Sequence, residues 1–469
     1  MTKDLPRIIQ GGMGVGVSGW KLANAVSREG HLGVVSGVAV DAVHARRLGD
    51  GDPGGHLRRA YAEFPNQRIV EAVLDRYFIE GGREGDEPYR TVPKMDADPP
   101  DHLIWLTVLA NFGEVWLAAE NHNGQVGVNY LTKVQLPTPY AILGAVLAGV
   151  DYIIMGAGIP IDIPPMIRSL ADGEAIRQHI EVIDADTDFF VDFDPRTIVD
   201  EAWPRPRPKF LAIISSNTLA LFLSRNPENR PDGFVVERPI AGGHNAPPRG
   251  KGKFDELGQP EYGPRDVVNL EKLNEVGLPF WLAGGSGRPG QLAAALESGA
   301  AGIQVGTAFA FSNESGIEKS MKKKVINQAL TAGVTVFTDP LASPSGYPFK
   351  VVGVDDTISD AAVAEERTRV CDLGFLRVAY QKDDGSLGYR CPAEPVKAYV
   401  RKGGDIADTE GRRCLCNGLL ATIDLPQVRK QGVEPSLVTS GDDLTTVVRT
   451  LCGNSDGYSA ADVIAYLET

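Results

Sequence analysis

Apolar residues recur along this chain in two alternating rhythms. Short apolar runs of strand length occur at Ile8–Gln10, Leu32–Ser36, Val126–Leu131, 152–155, 210–214, 234–236, Phe280–Ala283 and 303–305. Between them, apolar positions at helical spacing predict helices at 18–28, 139–149, 217–225, 267–276, 291–298 and 316–331. Ser18 stands where a helix N-cap belongs, with Leu22, Ala25 and Val26 on one face of the following segment. Alternating short strands and helices imply parallel pairing with right-handed crossovers. About eight such units favour closure into a barrel over an open doubly wound sheet. The expected fold is α/β, a (β/α)8 TIM barrel over residues 1–345.

The rhythm is broken in three places. Residues 49–101 are dominated by Gly, Pro, Asp and Arg and predict an insertion, with a helix near 64–78 lying over one end of the fold. Residues 160–208 form a second irregular stretch, also expected to be an insertion. After about Pro344 the alternation stops, and 346–469 is expected to be a C-terminal extension packing on the barrel. It carries all five cysteines of the chain. The apolar segment 104–118 is compatible with either strand or helix.

Length and charge narrow the function classes. With 469 residues, of which 43% are hydrophobic and 23% charged, the chain can bury a full barrel core. A formal net charge of −14 argues against nucleic acid and anionic membrane surfaces, which need clustered Lys and Arg. No apolar run reaches the roughly 18 residues that span a bilayer. The N-terminal MTKDLPRIIQ lacks a basic region followed by an apolar stretch, so no secretory signal is expected. A cytoplasmic protein is the expectation, with self-association left open. The basic cluster Lys319, Lys322, Lys323 and Lys324 reads as a solvated helix face.

In a parallel barrel, binding and catalytic groups sit at the C-terminal ends of strands. Here those ends are glycine-rich: Gly11-Gly12-Met13-Gly14, Gly242-Gly243-His244, Gly284-Gly285-Ser286-Gly287 and Gly306-Thr307. Glycine lets a backbone N–H approach a ligand closely. The last two loops fall where strands seven and eight end, the usual phosphate site of such barrels. The alternative is that these glycines only make tight turns. The first loop is not a dinucleotide fingerprint, because no acidic residue ends the next strand. His244 follows two glycines at a strand end, a position suited to a general base; a structural histidine bonded to a loop carbonyl is the alternative. The other six histidines have contexts that suit surface or satisfied roles. Cys371, Cys391, Cys414 and Cys416 lie close in sequence but lack paired CxxC knuckles. Buried or redox-active thiols are favoured there, no residue is assigned as a metal ligand, and one bound metal ordering the extension is the alternative.

The segments IIQGGMGVGVSGW, GVNYL, AGGH, WLAGGSG and GIQVGTAF, in this order, resemble the nitronate monooxygenases, a family of FMN-dependent barrel enzymes related to FMN-dependent enoyl reductases. The resemblance spans about residues 6–335. It implies FMN at the barrel mouth, with Met13 and Gly14 near the isoalloxazine and Asn129 bonded to the flavin. Gly284, Gly285, Ser286, Gly306 and Thr307 would hold the phosphate, and Gly12 and Gly243 would complete the cofactor-facing loops. His244 falls on the family's catalytic histidine. The implied activity is oxidation of a nitronate or nitroalkane with O2. Enoyl reduction with NAD(P)H is the alternative, and a flavin-binding scaffold without turnover a third. The insertion at 49–101, the long loop after AGGH and the extension depart from the family pattern.

Overall fold

The computed structural model describes residues 4–200, 203–250, 252–453 and 457–469. Eight parallel strands close into a barrel: β1 (Ile8–Gln10), β2 (Leu32–Ser36), β3 (Val126–Leu131), β4 (Tyr152–Gly156), β5 (Lys209–Ile214), β6 (Gly233–Glu237), β7 (Phe280–Ala283) and β8 (Gly302–Val305). Each pairs with its sequence neighbour, and β8 closes the ring on β1. Alternate residues of a barrel strand face inward. Ile9, Leu32, Val34, Tyr152, Ile154, Leu211, Val235, Trp281 and Ala283 accordingly form a buried cluster of their own that fills the barrel. The Trp281 indole N–H donates to the Pro6 carbonyl at 2.7 Å, which satisfies its one polar atom.

Several local expectations are corrected. Ser18 does not cap a helix. Its hydroxyl donates to the Gly11 carbonyl (3.0 Å) and accepts from the Met13 amide (2.9 Å) and the Gln10 side chain (2.8 Å), bracing the first glycine loop. The helix Trp20–Arg28 begins two residues later, with Gly19 at its N-cap, and its first amide is satisfied by the buried Glu114 carboxylate at 2.7 Å. The ambiguous 104–118 stretch lies in the helix Asp101–Ala119, which is long and apolar enough to cross a membrane, contrary to the expectation from run length. It is mostly buried and packs against the wholly buried helix Thr138–Leu147. Two short helices, His56–Ala62 and Gln67–Tyr77, occupy the 49–101 insertion. The 160–208 stretch is more regular than its sequence suggests: the helix Ile163–Asp172 is followed by an antiparallel pair, Ile176–Ile180 with Phe189–Phe193. The helix expected at 267–276 is shortened to Leu270–Asn274, and the one expected from 316 starts at Lys319. On that helix Lys322 is buried, not solvated. Its ammonium donates to the carbonyls of Ser312 (2.6 Å) and Ser315 (3.2 Å), and burial lowers its pKa to about 8.

The extension shares one continuous hydrophobic core with the barrel's outer layer. Its helix Leu444–Cys452 packs on Lys319–Thr331, and its last helix, Ala460–Leu467, packs on Trp20–Arg28. The strand Phe349–Val352 pairs antiparallel with Val336–Asp339 and is also stitched to the loop after β6. There the Lys350 amide donates to Gly243 and the Asn245 amide to Pro348, both at 2.9 Å.

Candidate functional site

The strand ends converge on a cavity of about 230 Å³ at the C-terminal mouth of the barrel. Gly12, Met13, Gly14, Asn129, Gly243, His244, Gly284, Gly285, Ser286, Gly306 and Thr307 all line it. Ile213 and Ala283, which pack with the barrel's inner cluster, also face it. Part of the wall comes from the extension, through Phe349, Leu419, Thr439, Ser440, Gly441 and Asp443.

Two glycine positions are sterically required. A Cβ on Gly12 would stand 2.3 Å from the Asn129 Cβ, so the first loop lies directly against β3. Gly284 has φ +80° and a Cβ there would meet the Arg238 carbonyl oxygen at 2.8 Å. The wall formed by these loops holds polar atoms that the protein itself leaves unsatisfied. The Ser286 and Ser440 hydroxyls and the Gln304 side-chain carbonyl are buried with no hydrogen-bond partner among the described residues. A buried polar group without a partner costs stability, so a cluster of them in one cavity fits a polar ligand. Ser286 lies in the loop after β7, Gln304 on β8 and Ser440 in the extension. An anionic group with several acceptor oxygens, such as a phosphate, suits the two hydroxyls and the loop amides. The Gly441 amide is already committed to the Thr307 hydroxyl at 3.1 Å. Asp443 is the acidic exception in this wall. Burial raises its pKa, which Arg288 partly offsets.

His244 lines the same cavity from the loop after β6. Its ring packs edge-on against Phe349, with centroids 4.9 Å apart. Nε2 is 2.7 Å from the Ser343 hydroxyl, which in turn is 2.7 Å from the Ser345 hydroxyl. Nδ1 forms no hydrogen bond among the described residues. Burial lowers the pKa of His244 to about 4, so the ring is neutral at physiological pH. The arrangement in which Ser343 donates to Ser345 is the one that puts the imidazole hydrogen on Nε2 and leaves the lone pair on Nδ1.

Sequence reasoning missed Glu237. It ends β6, lines the same cavity, and forms no side-chain hydrogen bond among the described residues. Burial raises its pKa to about 8, so it is a protonated acid near neutrality. Its position one residue past a buried apolar run at a strand end was the available signal. By contrast His44, which sequence context left unassigned, is a satisfied core residue between Glu114 (2.7 Å) and Tyr61 (2.9 Å).

Solved structures of similar architecture include the enoyl reductase domain of MlnA from the macrolactin biosynthesis cluster from Bacillus amyloliquefaciens, with a TM-score of 0.50, 10% identity, and coverage of 98% of this chain and 94% of that one. That likeness concerns the fold alone. FabK from Thermotoga maritima aligns with a TM-score of 0.47 and 16% identity over 98% of this chain and 91% of its own. Nitroalkane oxidase from Streptomyces ansochromogenes aligns with a TM-score of 0.44 and 15% identity over 98% and 94%. No curated protein sequence matches the chain. Residues 210–352, which run from β5 through the strand Phe349–Val352 and include His244, match the family model described as nitronate monooxygenase, the family that the chain's motifs resemble.

Proposed function

We propose that this chain is an FMN-dependent oxidoreductase that oxidises a nitronate or nitroalkane with O2. The observation that carries the reading is the convergence of the glycine loops, the unsatisfied polar atoms and one neutral histidine on a single cavity. Ser286, Ser440 and the amides of Gly284–Gly287 and Gly306–Thr307 would hold the phosphate. Met13, Gly14 and Asn129 would face the ring system, with Gly12 keeping the loop close to β3. Bound flavin supplies the redox chemistry by taking electrons from substrate and passing them to oxygen.

The protein's own contribution is positioning and proton transfer. His244 at neutral pH offers the Nδ1 lone pair to a C–H made acidic by an adjacent nitro group. Ser343 holds the opposite nitrogen and so fixes the ring and its tautomer.

Enoyl reduction with NAD(P)H is the second reading, and Glu237 favours it. A carboxylic acid kept protonated in the cavity is a proton donor that reduction of a carbon–carbon double bond requires and nitronate oxidation does not. The deciding experiment is an absorbance spectrum of the purified protein with identification of the released cofactor, followed by anaerobic titration. Bleaching by nitronate supports the first reading, and bleaching by NAD(P)H with no response to nitronate replaces it with the second. A protein that takes up no flavin on reconstitution excludes both.

A further inference from the structure

The long loop that follows His244 departs from the family pattern, and it encloses a second chamber beside the main cavity. The chamber holds about 10 Å³, room for about one water. Glu237, at the end of β6, lines both spaces and is the one residue that they share. Ser215, which directly follows β5, contributes to the chamber from one side. Asn245, Arg249, Tyr262 and Asp266 contribute from the loop.

The loop is pinned in this shape. The Arg249 guanidinium donates to the Arg265 and Ser215 carbonyls, and the Asp266 carboxylate accepts from the Arg249 and Gly263 amides, both at 2.8 Å. The Tyr262 hydroxyl donates to the Ala246 carbonyl at 3.1 Å, which leaves its oxygen free to accept. Asn245 is 2% exposed. Its side-chain nitrogen donates to the Ala241 carbonyl at 3.1 Å, but its side-chain oxygen has no hydrogen-bond partner among the described residues. An orphaned acceptor at this depth calls for a donor, and a water meets that need while reaching other polar groups. The Glu237 carboxyl forms no side-chain hydrogen bond among the described residues either, so it is open to the same water. Outward from there, Asn245 is buried, Tyr262 and Asp266 are half-buried, and Arg249 is exposed, so the polar groups lead to the surface.

We propose that this chamber is a proton conduit, in which a water held by Asn245 joins the Glu237 carboxyl to solvent beside Asp266 and recharges the acid that faces the main cavity. In the step itself the Glu237 O–H bond breaks and its proton passes to the reacting atom in the main cavity. The carboxylate left behind takes a proton from the chamber water, which takes one in turn from solvent, and no electrons move. Burial sets the Glu237 pKa at about 8, close enough to physiological pH for the group to give up a proton and regain it. His244 lines the main cavity only, so the conduit serves the carboxyl and not the imidazole. The use made of the proton rests on the oxidoreductase reading, chiefly in its reductive form, whereas the route to Glu237 does not.

Exchange of the Glu237 proton on mixing with heavy water tests the route, followed in the carboxylic-acid infrared band of the full chain after incubation with FMN. Subtracting the spectrum of Glu237→Gln isolates the band, which should be present near neutral pH and shift promptly in the wild type. Ser215→Leu places an apolar side chain in the chamber from outside the main cavity and should slow the shift several-fold. Asn245→Leu should do the same from the loop. If both fail to fold, Tyr262→Phe, which keeps the ring and removes only the hydroxyl, should still slow it. An unchanged rate in folded variants would show that the proton arrives through the main cavity, and a missing band that Glu237 is ionised; either result overturns the proposal. Flavin uptake, read from the visible absorbance of the same samples, decides the oxidoreductase reading separately, because the exchange is measured without substrate.

Discussion

The Nε2 atom of His244 lies 2.7 Å from the hydroxyl of Ser343, a residue 99 positions later in the chain. The cavity's one histidine is therefore oriented by the segment leading into the extension and not by the barrel that carries it.

Replacing His244 by Asn should slow turnover of neutral nitroalkane by about 10²–10⁴-fold while FMN is retained. Pre-formed nitronate has already lost its proton and should suffer less. The folded pKa of about 4 also sets the pH profile in the wild type. The His244 contribution to kcat/KM on neutral substrate should stay flat as pH falls from 8 to 5 and decline only towards 4. Steady-state rates on the two substrate forms across pH test both points. Equal losses on both forms would show that His244 does not act as the base.

Ser343→Ala removes one hydrogen bond, worth about 1 kcal/mol or about fivefold in rate. The loss should fall on neutral nitroalkane and spare both nitronate oxidation and flavin content. Ser343→Thr, which keeps the hydroxyl, should restore most of the rate. A uniform loss on both substrates would mean that Ser343 serves the fold and not the tautomer.

Gly285→Val should abolish flavin retention. The residue has φ +71°, and its Cβ would stand 3.2 Å from Ile240 in the wall assigned to the phosphate. The cofactor content of variant and wild type, compared after confirming matching circular dichroism, tests this. Wild-type flavin content in the variant would refute the phosphate assignment.

Glu237 predicts a pH effect on stability of defined sign. Its folded pKa of about 8 exceeds the ordinary 4.5, so between those values the folded state holds a proton that the unfolded chain has released. Its contribution is complete below pH 4.5 and is lost as pH rises towards 8. Glu237→Gln stays neutral throughout. Relative to wild type, its Tm should therefore improve from pH 5 to pH 9. Parallel Tm profiles would show that Glu237 is ionised in the native cavity.

The barrel was legible because its signals are local. Runs such as Leu32–Ser36 and Phe280–Ala283 alternate inward and outward residues and end in glycine, so strand, face and loop are readable together. The cavity's glycines and His244 were legible for the same reason. Glu237 and Gln304 were not, because their importance comes from burial without a partner, which only the closed barrel creates. Ser440 and Ser343 were further out of reach, since nothing in the extension's sequence says which loop it will cover. Ser18 and Lys322 were misread because each looked right for a common local role while a distant backbone group claimed its side chain.

Ser343 touches His244, and the next residue, Pro344, lines a small pocket together with Cys371, Cys391, Cys414 and Cys416. Consecutive Cα atoms are fixed about 3.8 Å apart by a planar peptide, so these two walls cannot move independently. A displacement of Pro344 in that pocket would shift the neighbouring hydroxyl that holds the imidazole. The alignment of the imidazole at the barrel mouth therefore depends on how well the extension is seated, and a packing defect around Pro344 is expected to register there as a misaimed ring with the glycine loops untouched.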